Sequence, residues 1–209
     1  FVGDRVDPCV FDIDIDTVGY DLIGFRIESD GGNSVDLLNA SYLTDVPEDS
    51  INPINLALST TTFKNEQYIL PNIELVKSGI SNEDGPIHDH FHMFVIDNGQ
   101  TLDSASLSDE LVTVLPNPNT GGSGGFARGM MAATETPGQF THIILMDDDV
   151  SIMPESLIRT YNLLSLAKGK YKDAFINGAM LSMEDPTRQF EDVSYVATTG
   201  AYRRVKEDL

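Results

Sequence analysis

Residues 142–149 read His-Ile-Ile-Leu-Met-Asp-Asp-Asp, an apolar run that ends in three consecutive carboxylates, Asp147, Asp148 and Asp149. A short apolar run bounded by polar residues is typical of a buried strand. Neighbouring like charges repel one another unless a cation or strong hydrogen bonds offset them. Hard divalent ions such as Mg²⁺ and Mn²⁺ prefer carboxylate oxygens as ligands. The stretch therefore predicts a buried strand with a metal site at its carboxyl end.

The aspartates have a second interpretation, in which they cap the next helix. Pro154 and Glu155 follow them, and a proline beside an acidic residue is typical of a helix N-terminus. The metal interpretation has a consequence for the ligand. Mg²⁺ tends to use one or two protein carboxylates and completes its shell with water and phosphate oxygens, so it points to a nucleotide-type ligand.

The composition limits the classes of partner. The 209 residues suffice for one large domain, or for one domain with a small neighbour. Thirteen basic and thirty-three acidic residues give a net charge of −20, which argues against nucleic acid as a partner. A nucleotide remains compatible, because a metal, backbone amides and one arginine can hold it. The lone Cys9 cannot form an intramolecular disulfide, and no apolar stretch approaches the roughly 18 residues of a membrane span.

The first fifty residues differ in pattern from the rest. Between residues 9 and 43, apolar residues alternate with polar ones and glycine-containing turns separate the runs, which predicts antiparallel strands. Residues 45–53 are polar and carry two prolines, which is typical of a linker. We therefore predict one domain at 1–50 and a second at 51–209.

From residue 54 onward, strand patterns alternate with helix patterns. The predicted strands cover residues 54–60, 92–96, 111–115 and 143–146, with a fifth at 174–178, and the predicted helices cover 66–77, 126–134 and 155–168. Pro71 weakens the first helix. Such alternation predicts an α/β fold, a mostly parallel sheet with helices on both faces. Ligands of such sheets bind beyond the carboxyl ends of the strands.

Polar residues follow each of the first four predicted strands, where such a ligand would bind. In chain order these are Thr60 to Phe63, then Asp97 with Asn98, then Asn119 with the glycines 121, 122, 124 and 125, and finally the three aspartates. Exposed amides of the glycine segment, just before a helix, favour an anion, although a flexible loop is the alternative. Arg128 is a candidate for a diphosphate contact or an ordinary surface arginine. Together the four motifs predict one ligand site.

Three alternating histidines, His88, His90 and His92, would share one face of an extended strand and could hold a metal. They precede a strand, at the end of the sheet away from the predicted ligand site. This position favours a structural role.

The ordered motifs resemble the family 2 glycosyltransferases, whose nucleotide-sugar-binding fold is called GT-A and is Rossmann-like. More narrowly, the chain is similar to the polymerising galactofuranosyltransferases of bacterial cell-wall galactan synthesis. Residues 61–68, 119–128, 146–149 and 178–186 carry the resemblance, in the family's order and spacing. Related enzymes carry an antiparallel β-sandwich before the GT-A domain, so the resemblance implies that residues 1–50 are the end of that sandwich.

The resemblance implies inverting transfer of a sugar, galactofuranose, from a UDP-sugar donor to a growing cell-envelope glycan or lipid-linked glycan. A Mn²⁺ or Mg²⁺ cofactor would be held by Asp147 and Asp149, with Asp148 near the donor sugar or ribose. The further donor-binding positions that we carry over or infer from the strand ends are Thr61, Phe63, Asn65, Asp97, Asn98, Asn119 and Arg128. The family often has arginine where Asn65 stands, so that contact is either missing or replaced by Lys64.

The family places its catalytic base and a metal-binding histidine after the segment that matches residues 178–186. We therefore expect the base to lie outside this chain and the GT-A domain to be truncated at its acceptor side. The resemblance also implies a cytoplasmic protein, peripheral at the inner face of the plasma membrane, with homo-oligomers among its partners. Two other functions remain open: a non-catalytic carbohydrate-binding or scaffold protein with a relic GT-A domain, and a nucleotidyltransferase.

Overall fold

The computed structural model describes residues 10, 24–26, 40–43, 45–81, 85–135, 139–191 and 194–204. The chain divides into two compact units, Phe1–Asp45 and Val46–Leu209. In the first unit, the rings of Phe25 and Tyr42 lie 6.1 Å apart. The antiparallel strands predicted between residues 9 and 43, and with them the β-sandwich, lie largely outside the described residues. The assignment of the two domains stays a prediction.

The second unit is built on a four-stranded parallel sheet. Its strands are β1 (Leu56–Thr62), β2 (Phe91–Asp97), β3 (Val112–Pro116) and β4 (His142–Asp147), in the spatial order β3-β2-β1-β4. The central strand β1 pairs in parallel with β2 on one side and β4 on the other. Six of its seven residues are buried, as expected of a strand covered on both faces. The predicted parallel sheet is confirmed.

Helices cover both faces of this sheet. They are α1 (Glu66–Ser81), the short α2 (Ser104–Leu107), α3 (Gly121–Thr134) and α4 (Pro154–Leu166), with 3-10 turns at Glu48–Ser50, Pro86–His90 and Gly169–Tyr171. On one face, Leu56 and Leu58 pack in a core with residues of α1 and α4. On the other, Ala57 packs with Ala133 of α3. Alternate side chains of β1 thus pack into the cores on opposite faces of the sheet, as the pleat of a strand requires.

Helix α1 continues through Pro71 to Ser81, four residues beyond its predicted end. Proline removes one helical N–H and with it the bond to the carbonyl four residues earlier. That residue, Gln67, is exposed, so water can satisfy its carbonyl. Helix α1 tolerates Pro71 because the missing hydrogen bond lies near its start, on the face that is exposed to solvent.

The predicted fifth strand at 174–178 is wrong. This segment has no regular structure, and the side chain of Phe175 is fully exposed. Two short antiparallel pairs follow instead: β5 (Met180–Leu181) with β6 (Gln189–Glu191), and β7 (Ser194–Val196) with β8 (Tyr202–Arg204). The apolar run at 174–176 has strand propensity, but a strand forms only where packing and a pairing edge support it.

None of the helices in the described part of the chain has the length and hydropathy that crossing a bilayer requires.

The three histidines have separate structural partners. His88 is bound to the carboxylate of Asp89 at the surface, and His90 Nδ1 lies 2.6 Å from Asn55 Oδ1. His92 Nδ1 lies 3.0 Å from the carbonyl oxygen of Glu110, and its Nε2 lies 2.8 Å from the Thr113 hydroxyl. Since a carbonyl only accepts, Nδ1 of His92 donates, and in the neutral ring Nε2 then accepts from the Thr113 hydroxyl. The structural interpretation of these histidines is therefore favoured.

Burial lowers the pKa of His92, although the Glu110 carbonyl and the charge of Asp109 act in the opposite direction. The unfolded chain therefore binds the proton more readily than the folded one. Neutral His92 contributes stability in full above about pH 6.5, and that contribution is lost as the pH falls below this value. We expect the difference in free energy of unfolding between wild type and His92→Gln, measured by urea titration, to shrink from pH 7 to pH 5. A difference independent of pH would contradict the assignment.

Candidate functional site

The four polar motifs meet at the carboxyl edge of the sheet. The strand register sets Thr62 beside Asp97, Asp97 beside Pro116, and Thr61 beside Asp147. A cavity of about 330 Å³ opens at this edge. Its lining consists of Thr61, Thr62, Phe63, Asn65, Asn98, Asn119, Gly121, Gly122 and Asp148. The structure thus brings together six of the predicted donor-binding residues, and their binding role stays a prediction.

Asp97 has a different place from its neighbours. Its side chain is fully buried and faces the backbone of the following loop. Oδ1 accepts a hydrogen bond from the amide of Gly99 at 3.0 Å, and Oδ2 accepts from Thr101 and Leu102, both at 2.8 Å. Hydrogen bonds to a buried carboxylate are strong and hold the loop in one shape. Asp97 therefore supports the cavity wall rather than lining it, which differs from its predicted contact with the donor.

A buried pair of amides joins the strand ends to α3. Asn117 Nδ2 donates to Asn98 Oδ1 at 2.7 Å, and Asn98 Nδ2 donates to the carbonyl oxygen of Gly121 at 3.1 Å. The backbone amide of Asn98 donates to Thr62 at 2.9 Å, which adds β1 to the network. Sequence reasoning missed Asn117. Its position directly after a strand, like that of Asn98, was the available signal.

The glycine segment belongs to α3 and is not a loop. The helix begins at Gly121, five residues before its predicted start. A methyl group at Gly125 would overlap the Thr61 side chain, and one at Gly129 would overlap the hydroxyl of Ser59. These glycines therefore let the helix lie directly on β1. The first-turn amides of a helix have no intrahelical acceptor and carry partial positive charge, so this N-terminus at the cavity favours an anion.

Arg128 lies away from the cavity lining. Its Nη1 is 3.4 Å from Oε2 of Glu135, near the C-terminal end of α3, and both side chains are exposed. An exposed ion pair of this length contributes little to stability. The alternative of an ordinary surface arginine fits this geometry better than the predicted diphosphate contact.

The three aspartates differ in exposure. Asp147 ends β4 and is exposed, Asp148 is half-buried and lines the cavity, and Asp149 is exposed in the turn. The N-cap position of α4 is Met153, whose side chain makes no capping hydrogen bond. The aspartates therefore do not cap this helix, which removes the alternative interpretation of the motif.

The donor set of this acidic turn fits a hard divalent ion. It offers carboxylate oxygens only, the type of ligand that Mg²⁺ and Mn²⁺ prefer. Among the described residues, no basic side chain pairs with Asp147, Asp148 or Asp149. The same part of the chain contains no cluster of three or more acidic, histidine or cysteine side chains arranged as a complete metal site. An ion here would thus use one or two carboxylates and take further ligands from water or phosphate.

Two of the residues that line the cavity carry hydroxyls without a hydrogen-bond partner in the described part of the chain. Thr61 Oγ1 and Thr62 Oγ1 are buried and have no hydrogen-bond partner among the described residues. A buried polar atom without a partner costs about 1–3 kcal/mol. Both oxygens lie beneath the cavity surface, and the Thr61 side chain lies against Gly125 of α3. Phe63 at the cavity mouth is about half exposed, at 49%, and offers an aromatic face for stacking. The Nζ of Lys64 lies 5.4 Å from the centroid of this ring.

The family model described as Glycosyl transferase family 2 matches residues 59–169, more than half of the chain. This chain belongs to the family 2 glycosyltransferases. The match runs from the second half of β1 through β2, β3 and β4 and includes the loops that line the cavity. The expected family and the GT-A type of fold are thereby confirmed.

Two curated relatives carry the name Galactofuranosyltransferase GlfT2. The protein from Mycolicibacterium smegmatis is 32% identical over 85 residues, which are 41% of this chain and 12% of that relative. The protein from Mycobacterium tuberculosis is 32% identical over 76 residues, 36% of this chain and 11% of that relative. The matched regions are thus a small part of both relatives. A crystal structure of S. aureus TarS 1-349 superposes with a TM-score of 0.37 at 17% identity, over 53% of this chain and 32% of that one.

The contact between α3 and β1 can be tested with two glycines of the same helix. We expect Gly129→Ala to lower the free energy of unfolding by about 1–3 kcal/mol, because the added methyl overpacks against Ser59. Gly122→Ala is the matched control, since its methyl would meet open space. It should leave stability unchanged or raise it by up to about 1 kcal/mol, as alanine favours helices. Chemical unfolding followed by circular dichroism measures both, and equal effects would contradict the close packing.

Proposed function

We propose that this chain is the donor-binding part of a metal-dependent, inverting glycosyltransferase. In this proposal it transfers galactofuranose from UDP-galactofuranose to a growing cell-envelope glycan. Family membership and the name of the two relatives support the sugar and the reaction class. The observation that carries the proposal is the meeting of an acidic turn, a helix N-terminus and an exposed aromatic ring around one cavity.

The cavity wall supplies groups that suit a uridine nucleotide. Asn65 and Asn119 offer amides at the lining, which match the donor and acceptor edge of uracil. Phe63 offers an aromatic face against which a base can stack. Thr61 and Thr62 complete the lining beside these groups. These contacts would orient the nucleotide along the strand ends.

The diphosphate would lie between α3 and the acidic turn. Gly121 and Gly122, in the first turn of α3, line the cavity, and the positive end of the helix dipole there suits phosphate oxygens. The amide of Gly121 itself donates to Asn119 Oδ1 at 3.0 Å. Asp147 and Asp149 would hold Mn²⁺ or Mg²⁺, with Asp148 directed into the cavity towards the donor sugar or ribose. Such an ion, when bound, neutralises charge on the departing UDP. Without it, three carboxylates beside a diphosphate would repel the donor.

The acceptor in this proposal is a glycan or a lipid-linked glycan. Inversion requires that the acceptor hydroxyl attacks the donor sugar from the face opposite UDP while a base takes its proton. We assign no residue of this chain to that base. Peripheral association with the inner face of the plasma membrane and assembly into homo-oligomers belong to the same proposal, since they come with the family resemblance.

The metal part of the proposal can be tested by UDP binding. We expect UDP to bind in the presence of Mn²⁺. Each of the single variants Asp147→Asn and Asp149→Asn should weaken that binding at least about tenfold, because a ligand of the cation is lost. Isothermal titration calorimetry measures the affinity with Mn²⁺ and with EDTA. Asp49→Asn is the matched control, since it removes one charge from the exposed 3-10 turn before β1. UDP affinity that is independent of both Mn²⁺ and the two aspartates would contradict the proposal.

The donor sugar can be tested separately by competition. We expect UDP-galactofuranose to displace a fluorescent UDP probe at about tenfold lower concentration than UDP-galactopyranose or UDP-glucose, because a few hydrogen bonds to the sugar distinguish them. Equal displacement by all three nucleotide sugars would reject the galactofuranose assignment alone. Failure of every nucleotide sugar to displace the probe would reject the glycosyltransferase proposal as a whole.

A further inference from the structure

Asn72 is a buried polar residue in the middle of the apolar face of α1. It is 3% exposed and lies beside the core residue Ile73. Its Nδ2 donates hydrogen bonds to the carbonyl oxygens of Val150, at 2.6 Å, and Asp148, at 3.2 Å. Its Oδ1 accepts a hydrogen bond from the backbone amide of Ile152 at 3.1 Å. One side chain thus holds three points of the segment that follows β4.

This segment contains the acidic turn. Asp148 and Asp149 form the turn, and residues 150–153 have no regular structure before α4 begins at Pro154. Backbone of this kind takes its shape from bonds to its surroundings, because it has no helix or strand partners of its own. The side-chain amide of Asn72 gives this backbone segment both kinds of hydrogen-bond partner, two N–H donors and one oxygen acceptor.

Helix α1 also contacts the start of α4 and the loop after β2. A methyl group at Gly79 would overlap Pro154, so α1 lies directly against the first turn of α4. At its start, the Glu66 carboxylate accepts a hydrogen bond from the Thr101 hydroxyl, which lowers the pKa of Glu66. Asn65, just before the helix, lines the cavity. The same rigid element therefore contacts the cavity, the loop after β2 and the acidic turn.

We propose that Asn72 is a positioning residue for the cation site. Its three hydrogen bonds set the backbone at residues 148–152, so that the Asp148 side chain lines the cavity and Asp149 is held near the end of β4, where it and Asp147 would bind a divalent ion. The inference rests on the proposed function, because it assigns Asn72 a role at that site. Ligand-orienting groups behind a metal site typically change metal affinity 10- to 100-fold when they are replaced.

Two substitutions remove the hydrogen bonds in different ways. Asn72→Asp keeps the size of the side chain but turns an oxygen towards the carbonyls of Asp148 and Val150, which repel it. Asn72→Leu leaves both carbonyls and the Ile152 amide without this partner. In both variants we expect the turn to leave its present geometry while the sheet remains folded.

Asn52 provides a matched control. Its Nδ2 donates to the carbonyl oxygens of Leu164, at 2.9 Å, and Ala167, at 2.8 Å, at the opposite end of α4. Asn52→Leu therefore removes a similar amide bridge at the other end of α4, away from the acidic turn. It separates a general loss of stability from an effect on the cation site.

The experiment compares Mn²⁺ affinity with uridine affinity in folded protein. Electron paramagnetic resonance measures free Mn²⁺ in a titration, and ligand-observed NMR measures uridine without metal. We expect both Asn72 variants to bind Mn²⁺ about 10- to 100-fold more weakly and uridine within about twofold of wild type. We expect Asn52→Leu to match wild type in both measurements.

Three results would overturn this inference, and they differ from one another. Folded Asn72 variants with wild-type Mn²⁺ affinity would show that the bridge does not position the ligands. Equal losses of Mn²⁺ and uridine binding would show that Asn72 supports the whole unit instead. If wild-type protein itself binds no Mn²⁺, the proposed metal-dependent function fails first, and the role of Asn72 fails with it.

Discussion

The pairing of β1 with a parallel strand on each side is the constraint on which the rest of the structure depends. Parallel pairing in this register puts the ends of β1, β2 and β4 at one edge, so that Thr61 lies beside Asp147 and Thr62 beside Asp97. Because β1 is buried on both faces, a shift of register would move Leu56 and Leu58 out of their core. The geometry of the cavity therefore depends on a strand that is buried on both faces.

Two helices then convert the strand ends into a site. Gly125 and Gly129 let α3 approach β1, which brings the positive end of the helix to the cavity. Asn72 of α1 and the pair Asn98 and Asn117 hold the loops from behind, by bonds to backbone carbonyls and by the bond between the two amides of the pair. Buried amides of this kind are costly unless all their groups are bonded, so they specify one loop arrangement.

The charge distribution accounts for what such a site can accept. A chain with a net charge of −20 repels anions in general, yet its cavity combines the N-terminal end of a helix with an acidic turn. In the proposed function, a diphosphate with a divalent cation would suit both halves at once, since the cation would offset the carboxylates and the helix end would favour the phosphates. Membership of the family 2 glycosyltransferases agrees with this chemistry. Neither half alone would select a nucleotide sugar.

The sequence by itself determined the α/β class, the positions of the four core strands along the chain and the meeting of their polar ends at one edge of the sheet. Those features depend on local hydrophobic periodicity and on the rule that parallel strands share a carboxyl edge. Only the tertiary structure decided which polar residues face the cavity. Asp97 and Asn98 are neighbours in the chain, but the carboxylate of Asp97 accepts hydrogen bonds from backbone amides, whereas Asn98 lines the cavity. It also decided that the glycines form a helix and that 174–178 forms no strand, because both outcomes depend on what packs against the segment.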